Sequence, residues 1–344
     1  MPRPSITVAI PTFNGSRHIG EAIAGVIAQS ADASFELLVV DDRSDDDTVE
    51  KVRALAGDRA RVEINSERLG LAGNWNRCID RAETDWVAVF HQDDVMRPHH
   101  LARHLGVVRH LAASGAAIPA LLAGPADPID ESGEPITSGA IEPGAISLKR
   151  AAIDRFEVVN LDIGVGVGHY PPGSLPRDLA VGNPLRCSAV TLRRDAIRAM
   201  GGFDPRWRYA VDWDAWLRLA SAHPACFLWM PATVGFRWHH ASETHRFRTG
   251  TADLDEQREL LVALHASEPA SSWPDLARVR RDAHRRLSRA YLNRAHTAAR
   301  AGDRALEARC LKTAWRLDPS VMLRLVRDPR LVARLVLGSL NRGP

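Results

Sequence analysis

Two adjacent carboxylates, Asp93 and Asp94, follow closely on the apolar run Trp86-Val87-Ala88-Val89-Phe90. An unbroken, β-branched run of this kind reads as a buried parallel strand. In an open α/β sheet ligands collect beyond the carboxyl ends of the strands, so this strand delivers both acids to a crevice floor. Hard anionic oxygens there suit magnesium or manganese, and such an ion usually accompanies a phosphate. The competing reading is that the pair caps the helix opening near Pro98. A second acidic strand end weighs against it, because the apolar run Phe35 to Val40 stops on Asp41-Asp42. Asp46 and Asp47 are explained as first-turn partners of a helix dipole; Asp41 ends a strand and is not. Asp212 and Asp214 stand at the head of a later helix, where capping would also account for them. His239 and His240 end a strand, where solvation or a core hydrogen bond would serve as well as a ligand role.

The elements that position these residues follow from periodicity and punctuation. Ile6 to Ile10 reads as a first strand stopped by Pro11, and Thr12-Phe13-Asn14-Gly15-Ser16 as a turn offering backbone N–H groups at a helix start. A helix from His18 to Gln29, the strand ending on Asp41, a helix after Asp45, a strand over Arg61 to Ile64 and a loop from Asn65 into a helix reaching Ala82 complete the alternation. Strand and helix alternating in this way predict a doubly wound, mainly parallel sheet with right-handed crossovers. Beyond Leu111 the expected elements are a strand over Ile118 to Ala123, a hairpin or excursion over Asp127 to Ile136 and a helix over Ser147 to Val159. The glycine- and proline-rich Gly164 to Asn183 is expected to be an irregular lid or acceptor-side loop. Cys187 to Leu192 reads as a strand, Arg193 to Met200 as a helix closed by Gly201-Gly202, and Cys226 to Trp229 with Thr233 to Phe236 as a strand pair leading to Arg237-Trp238-His239-His240.

With 344 residues, 45% of them hydrophobic and 25% charged, the chain has the composition of an ordinary globular protein and length for one large domain with an appendage. The expected division is a domain over 1–250, with a nucleotide-binding half at 5–112 and an acceptor half at 113–250, followed by a helical, Arg-rich extension over 251–344. The net charge of +3 is unevenly spread: Trp273 to Pro344 holds seventeen Arg and Lys against six Asp and Glu. Cys78, Cys187, Cys226 and Cys310 lie far apart, without the spacing of a zinc site or a disulfide framework. The start lacks a signal-peptide pattern and no stretch reaches the ~18 apolar residues of a membrane span. A cytoplasmic protein is expected.

Six motifs in order, VAIPTFNG, VVDDRSDDDT, the Asn65 to Asn76 loop, HQDD, GGFDP with the following DWD, and RWHH, make the stretch from Ser5 to Thr244 similar to the glycosyltransferases of family 2. The resemblance implies a GT-A fold and an inverting transfer from a nucleoside-diphosphate sugar, dependent on manganese or magnesium. It assigns Pro11, Thr12 and Asp41 to the base and ribose, with Asn14, Asp42 and Ser44 beside them. Arg68 is placed near the base or diphosphate. His91 takes the first position of the family's DxD motif, usually an acid, and stays on the nucleotide side. Asp93 falls on the last acid of that motif and is the expected metal ligand, with Asp94 and His239 as supporting ligands or diphosphate contacts. Asp212 matches the general base, with Val211 where an acid often precedes it.

The implied partners are the nucleotide-sugar and a glycan or lipid-linked acceptor of surface polysaccharide synthesis. The basic tail, Leu323 to Arg327 with Leu331 to Leu337, has two readings. One is peripheral contact with an anionic membrane surface; the other is a solvated Arg face packing an apolar stripe onto its own domain. Nucleic acid is not expected, since no reader motif accompanies the charge. Two other functions stay open. A nucleotidyltransferase needs a glycine- and basic-rich phosphate loop, where Ile10 to Gly20 offers Arg17 and His18 alone. A non-catalytic scaffold would keep the nucleotide pocket and use the tail for protein partners.

Overall fold

The computed structural model describes residues 6–30, 34–136, 153–238 and 250–320. The chain divides into two compact units, Met1–Leu179 with Asn183–Ser242, and Ala180–Gly182 with Glu243–Pro344.

The first unit opens with β1 (Ile6–Thr12), α1 (Ile19–Ile27), β2 (Phe35–Asp41), α2 (Thr48–Ala56), β3 (Ala60–Ile64), α3 (Gly70–Arg81) and β4 (Trp86–Val89). These four strands pair in parallel in the order β3-β2-β1-β4, so their carboxyl ends leave the sheet at one edge. β1 and β4 are buried along their whole length, as strands covered on both faces must be. Ile6, Val8 and Ile10 meet Ile19, Ile23 and Val26 of α1 in the main core. The register sets Thr12 opposite Asp41.

There follow β5 (Val95–Met96), α4 (His100–Ser114), β6 (Leu121–Ala123), β7 (Ala126–Ile129), β8 (Arg155–Asn160), β9 (Gly164–Tyr170), α5 (Leu175–Leu179), β10 (Val190–Arg193), α6 (Arg194–Ala199), α7 (Val211–Ala222), β11 (Ala225–Trp229) and β12 (Val234–Arg237). β10 runs antiparallel between β4 and β6, and β11, β9 and β8 extend the sheet to nine strands. β5, β12 and β7 form a second, three-stranded sheet. This is the α/β architecture expected, parallel in its first half and mixed beyond it.

Three expectations are corrected. The described part of the helix expected over Ser147 to Val159 enters strand β8, and residues 147–152 lie outside the described residues. β8 ends the sheet and leaves Phe156 and Val158 exposed, so its alternation is not the usual apolar-in, polar-out pattern. Gly164 to Asn183 is not irregular throughout, since it contains β9 and α5. The β9 glycines make room for rings: a Cβ on Gly166 would stand 2.7 Å from Phe156 and one on Gly168 2.3 Å from Trp229. β11 and β12 are not partners of one another; they belong to different sheets.

The second unit holds α8 (Ala252–His265), α9 (Glu268–Ser271), α10 (Leu276–Ala301) and α11 (Arg304–Leu317). Gly302, at φ 78°, turns the chain between the last two, and Asp303 caps α11 by accepting from the Leu306 N–H at 3.0 Å. Leu254, Leu287, Tyr291, Ala295, Cys310 and Ala314 make its core. These helices fall within the helical, Arg-rich extension expected over 251–344. The Leu323 to Leu337 tail lies outside the described residues. Among the described residues no helix is long and apolar enough to cross a membrane.

Candidate active site

The carboxyl ends of β1 and β2 build the first wall. Thr12 Oγ1 donates to Asp41 Oδ1 at 2.9 Å, and Ser44 donates its N–H to Asp41 Oδ2 at 2.8 Å and its hydroxyl to Oδ1 at 2.6 Å. Asn14 joins the same group, since its N–H donates to Ser44 Oγ at 2.9 Å and its Oδ1 accepts from the Asp45 N–H at 2.8 Å. Asn14 and Arg43 both have positive φ, 46° and 61°, the type of backbone strain that gathers at functional loops. Pro11 is buried within β1, in register with Val40.

Asp42 serves the fold. It accepts from the Leu69 N–H at 2.7 Å, the Gly70 N–H at 2.8 Å and Asn65 Nδ2 at 3.0 Å, which makes it the cap of α3 from outside the helix. Asn65 in turn donates to Asn74, whose amide reaches the Val40 carbonyl at 3.0 Å. Arg68, mostly exposed, lies over the Phe13 ring at 3.4 Å and 4.0 Å from Asp42, beside the β1 loop where the nucleotide is expected.

The turn after β4 carries the acids. His91, Asp93 and Asp94 bring one ligand atom each within 4.8 Å of one another. Asp94 is buried; Ser188 donates its hydroxyl to Oδ2, and the Arg237 N–H donates to Oδ1 at 2.9 Å. Burial and the neighbouring Asp93 push the Asp94 carboxyl up to about 6, with His91, Ser188 and Arg237 working the other way. Asp93 is half-buried, and its carbonyl accepts from Arg237 Nε at 2.8 Å. His91 Nε2 is buried and has no partner among the described residues. Two neighbouring carboxylates and a buried imidazole nitrogen without a partner among the described residues form a donor set that fits manganese or magnesium. His91 thus stands with the acids, whereas the resemblance gave it to the nucleotide. His239 lies outside the described residues.

Asp212 is in the first turn of α7. Its Oδ1 accepts from the Trp213 N–H at 2.6 Å, and Asn183 Nδ2 donates to Oδ2 at 3.3 Å. Desolvation raises its carboxyl above the usual range, opposed by the Trp213 N–H, the charges of Arg186 and His91, and Asn183. Cys187 is buried within electrostatic reach of both Asp212 and Asp94, each of which pushes its thiol up. Asp212 therefore lies within electrostatic reach of His91, and Cys187 within reach of both acids. Asp214 is turned into the fold, where it pairs with Arg218 at 2.7 Å.

Ser188, Arg237, Asn183, Arg186 and Gln92 were not assigned site roles from the sequence. Arg237 and Gln92 lie inside the RWHH and HQDD motifs, which was the available signal. A separate cavity of about 370 Å³ is lined by residues including Thr84, Trp86, Arg193 and Arg198. It opens where β4 begins, at the other end from Asp93, and its arginines pair with Asp195 and Asp80.

A mainly parallel sheet of this order, with loops and acids at one edge, has the GT-A fold. Residues 7–123 match the family model described as Glycosyl transferase family 2. An uncharacterized protein of Mycobacterium tuberculosis is 28% identical over 75% of this chain and 75% of its own length. The succinoglycan biosynthesis protein ExoO of Rhizobium meliloti is 33% identical, over 33% of this chain and 32% of its own. The UDP-Glc:alpha-D-GlcNAc-diphosphoundecaprenol beta-1,3-glucosyltransferase WfgD of Escherichia coli is 28% identical, over 30% and 40%. The chain thus spans well under half the length of the latter two. The crystal structure of Staphylococcus aureus TarS, residues 1–349, in complex with UDP-GlcNAc has the same fold: TM-score 0.51, 14% identity, 93% of this chain and 92% of that one covered.

Proposed function

We propose that the protein transfers a sugar from a nucleoside-diphosphate sugar to a hydroxyl of a glycan or lipid-linked acceptor, with inversion, in surface polysaccharide synthesis. What supports this most directly is the electrostatic proximity of Asp212, the proposed base, to His91 of the acidic cluster. Thr12, Asp41, Asn14 and Ser44 hold the base and ribose, with Arg68 over the diphosphate side. Asp93 holds the cation, with His91, Asp94 and His239 in support. A divalent cation held by these residues would supply positive charge to offset what grows on the diphosphate leaving group. Asp212 accepts the proton of the acceptor hydroxyl while that oxygen bonds to the anomeric carbon from the opposite face. The activity of WfgD, with a UDP-Glc donor and a GlcNAc-diphosphoundecaprenol acceptor, supports that choice of substrates. This reading puts the reaction in the cytoplasm.

The test is a nucleotide-release assay with a panel of UDP- and TDP-sugars and undecaprenyl-diphosphate-linked acceptors, with manganese or with a chelator. Acceptor-dependent release that needs metal and is lost in Asp212→Asn is expected. Nucleotide and metal binding by the wild type without transfer to any acceptor would favour a scaffold.

A further inference from the structure

We infer that Arg237 is a positioning residue for this site, holding the Asp93-Asp94 turn in its ligand-presenting shape and tying it to α1. The inference rests on the proposed cation role of that turn. The Arg237 side chain is fully buried, and its guanidinium is spent on four acceptors drawn from three parts of the chain. Nε donates to the Asp93 carbonyl at 2.8 Å, Nη1 to the carbonyls of Asp130 at 3.0 Å and Glu131 at 2.8 Å, and Nη2 to Glu21 Oε2 at 2.7 Å. The backbone N–H of the same residue donates to Asp94 Oδ1 at 2.9 Å.

One residue therefore fixes the peptide that carries the Asp93 side chain and one oxygen of the Asp94 side chain. Neither of these two contacts uses the Asp93 carboxylate. Glu21 lies on α1, whose preceding loop pairs with the acid turn through Phe13 and Gln92. The guanidinium is thus a second brace between the nucleotide loop and the acids. Its planar fork, with donors at fixed angles, is what this arrangement requires, and a lysine ammonium supplies charge without the fork. Buried groups that orient the ligands of a cation typically change its affinity by about 10–100-fold when removed.

The experiment uses the full chain carrying Arg237→Lys or Glu21→Gln. Glu21 is half-exposed, so the second variant tests the brace where the first fails to fold. Manganese affinity at saturating UDP and UDP affinity in a chelator are measured by titration calorimetry, with near-ultraviolet circular dichroism as the check on folding. Arg237→Lys is expected to weaken manganese binding about tenfold or more and to leave UDP affinity in the chelator within about twofold of wild type. Glu21→Gln is expected to shift manganese binding the same way by a smaller factor. A wild type that binds UDP more tightly with manganese, beside folded variants with unchanged manganese affinity, overturns the positioning role alone. A wild type whose UDP affinity ignores manganese overturns the cation reading and this role with it.

Discussion

Gln92 closes on Phe13 with both ends of its amide: Oε1 accepts from the Phe13 N–H at 3.0 Å and Nε2 donates to the Phe13 carbonyl at 3.1 Å. A side chain of the acid turn thereby mimics a paired strand and fixes the loop after β1. Arg68 lies over the ring of the same phenylalanine at 3.4 Å. The loop after β1 and the acid turn are built as one piece.

Gly15 tests that joint. A Cβ at this position would stand 2.1 Å from Gln92 Oε1, so Gly15→Ala must displace the amide. We expect about 1–3 kcal/mol of destabilisation, the usual cost of overpacking, read by urea unfolding, with weakened UDP binding by calorimetry. Gln92→Ala should reproduce the loss of UDP affinity without the clash. UDP binding at the wild-type level in both variants would show that the joint does not shape the nucleotide site.

Asp93→Ala separates the cation from the nucleotide. Ligand binding to the folded state alone stabilises it by about 2.7 kcal/mol at a hundred times the dissociation constant. The wild type should melt higher with UDP and manganese than with UDP and a chelator. In Asp93→Ala the two melting temperatures should coincide. A wild type stabilised equally in the chelator would remove the metal from the reading.

What the sequence discloses and what it hides divide along chain distance. The runs ending on Asp41 and Asp93 are continuous, so strand, strand end and acid are readable together. Asp212 is readable only through the order of the motifs, because a first-turn acid is also a plain cap. The partners of Asp94 are not readable: Ser188 lies 94 positions away and Arg237 143 positions away, and only the closed fold brings them in. The β9 glycines mislead for a related reason, since the rings they make room for come from Phe156 on β8 and Trp229 on β11. Asp42 reads as a nucleotide contact beside Asp41, yet pleating turns it the other way to cap α3.

His100 and His104 carry a pH dependence remote from the acid turn. Their rings lie 4.2 Å apart on α4, fully buried, with Nδ1 of each bonded at 2.8 Å to Thr233 and Thr191. Burial holds the His100 imidazole down to about 4 and that of His104 well below its ordinary value. Both stay neutral in the fold, while the unfolded chain protonates them below about pH 6.5. The unfolded state then binds more protons, so as pH falls from there towards 4 each costs about 1.4 kcal/mol of stability per pH unit. The raised carboxyls of Asp94 and Asp212 act in the opposite sense, so the effect is read as a difference between proteins. In urea unfolding, the stability deficit of His104→Asn against wild type should shrink between pH 7 and pH 5. A deficit independent of pH would mean that His104 titrates alike in both states.

Asp212 and Asp214, two positions apart on α7, face different tasks, and one pair of variants distinguishes them. Asp212 has an N–H, an amide and the crevice around it. Asp214 accepts from Arg218 at 2.7 Å, and Arg218 continues to the Met200 and Gly202 carbonyls at 3.1 and 2.8 Å, so this acid fastens α7 to the turn after α6. Asp212→Asn should lower kcat by about 10²–10⁴, the usual worth of a general base, with donor affinity and melting temperature nearly unchanged. Asp214→Asn should lower the melting temperature and leave the kcat of the folded fraction near wild type. Both quantities follow from nucleotide release and a thermal melt on the same samples. Equal losses of kcat would show that α7 acts as a rigid support and that the base lies elsewhere.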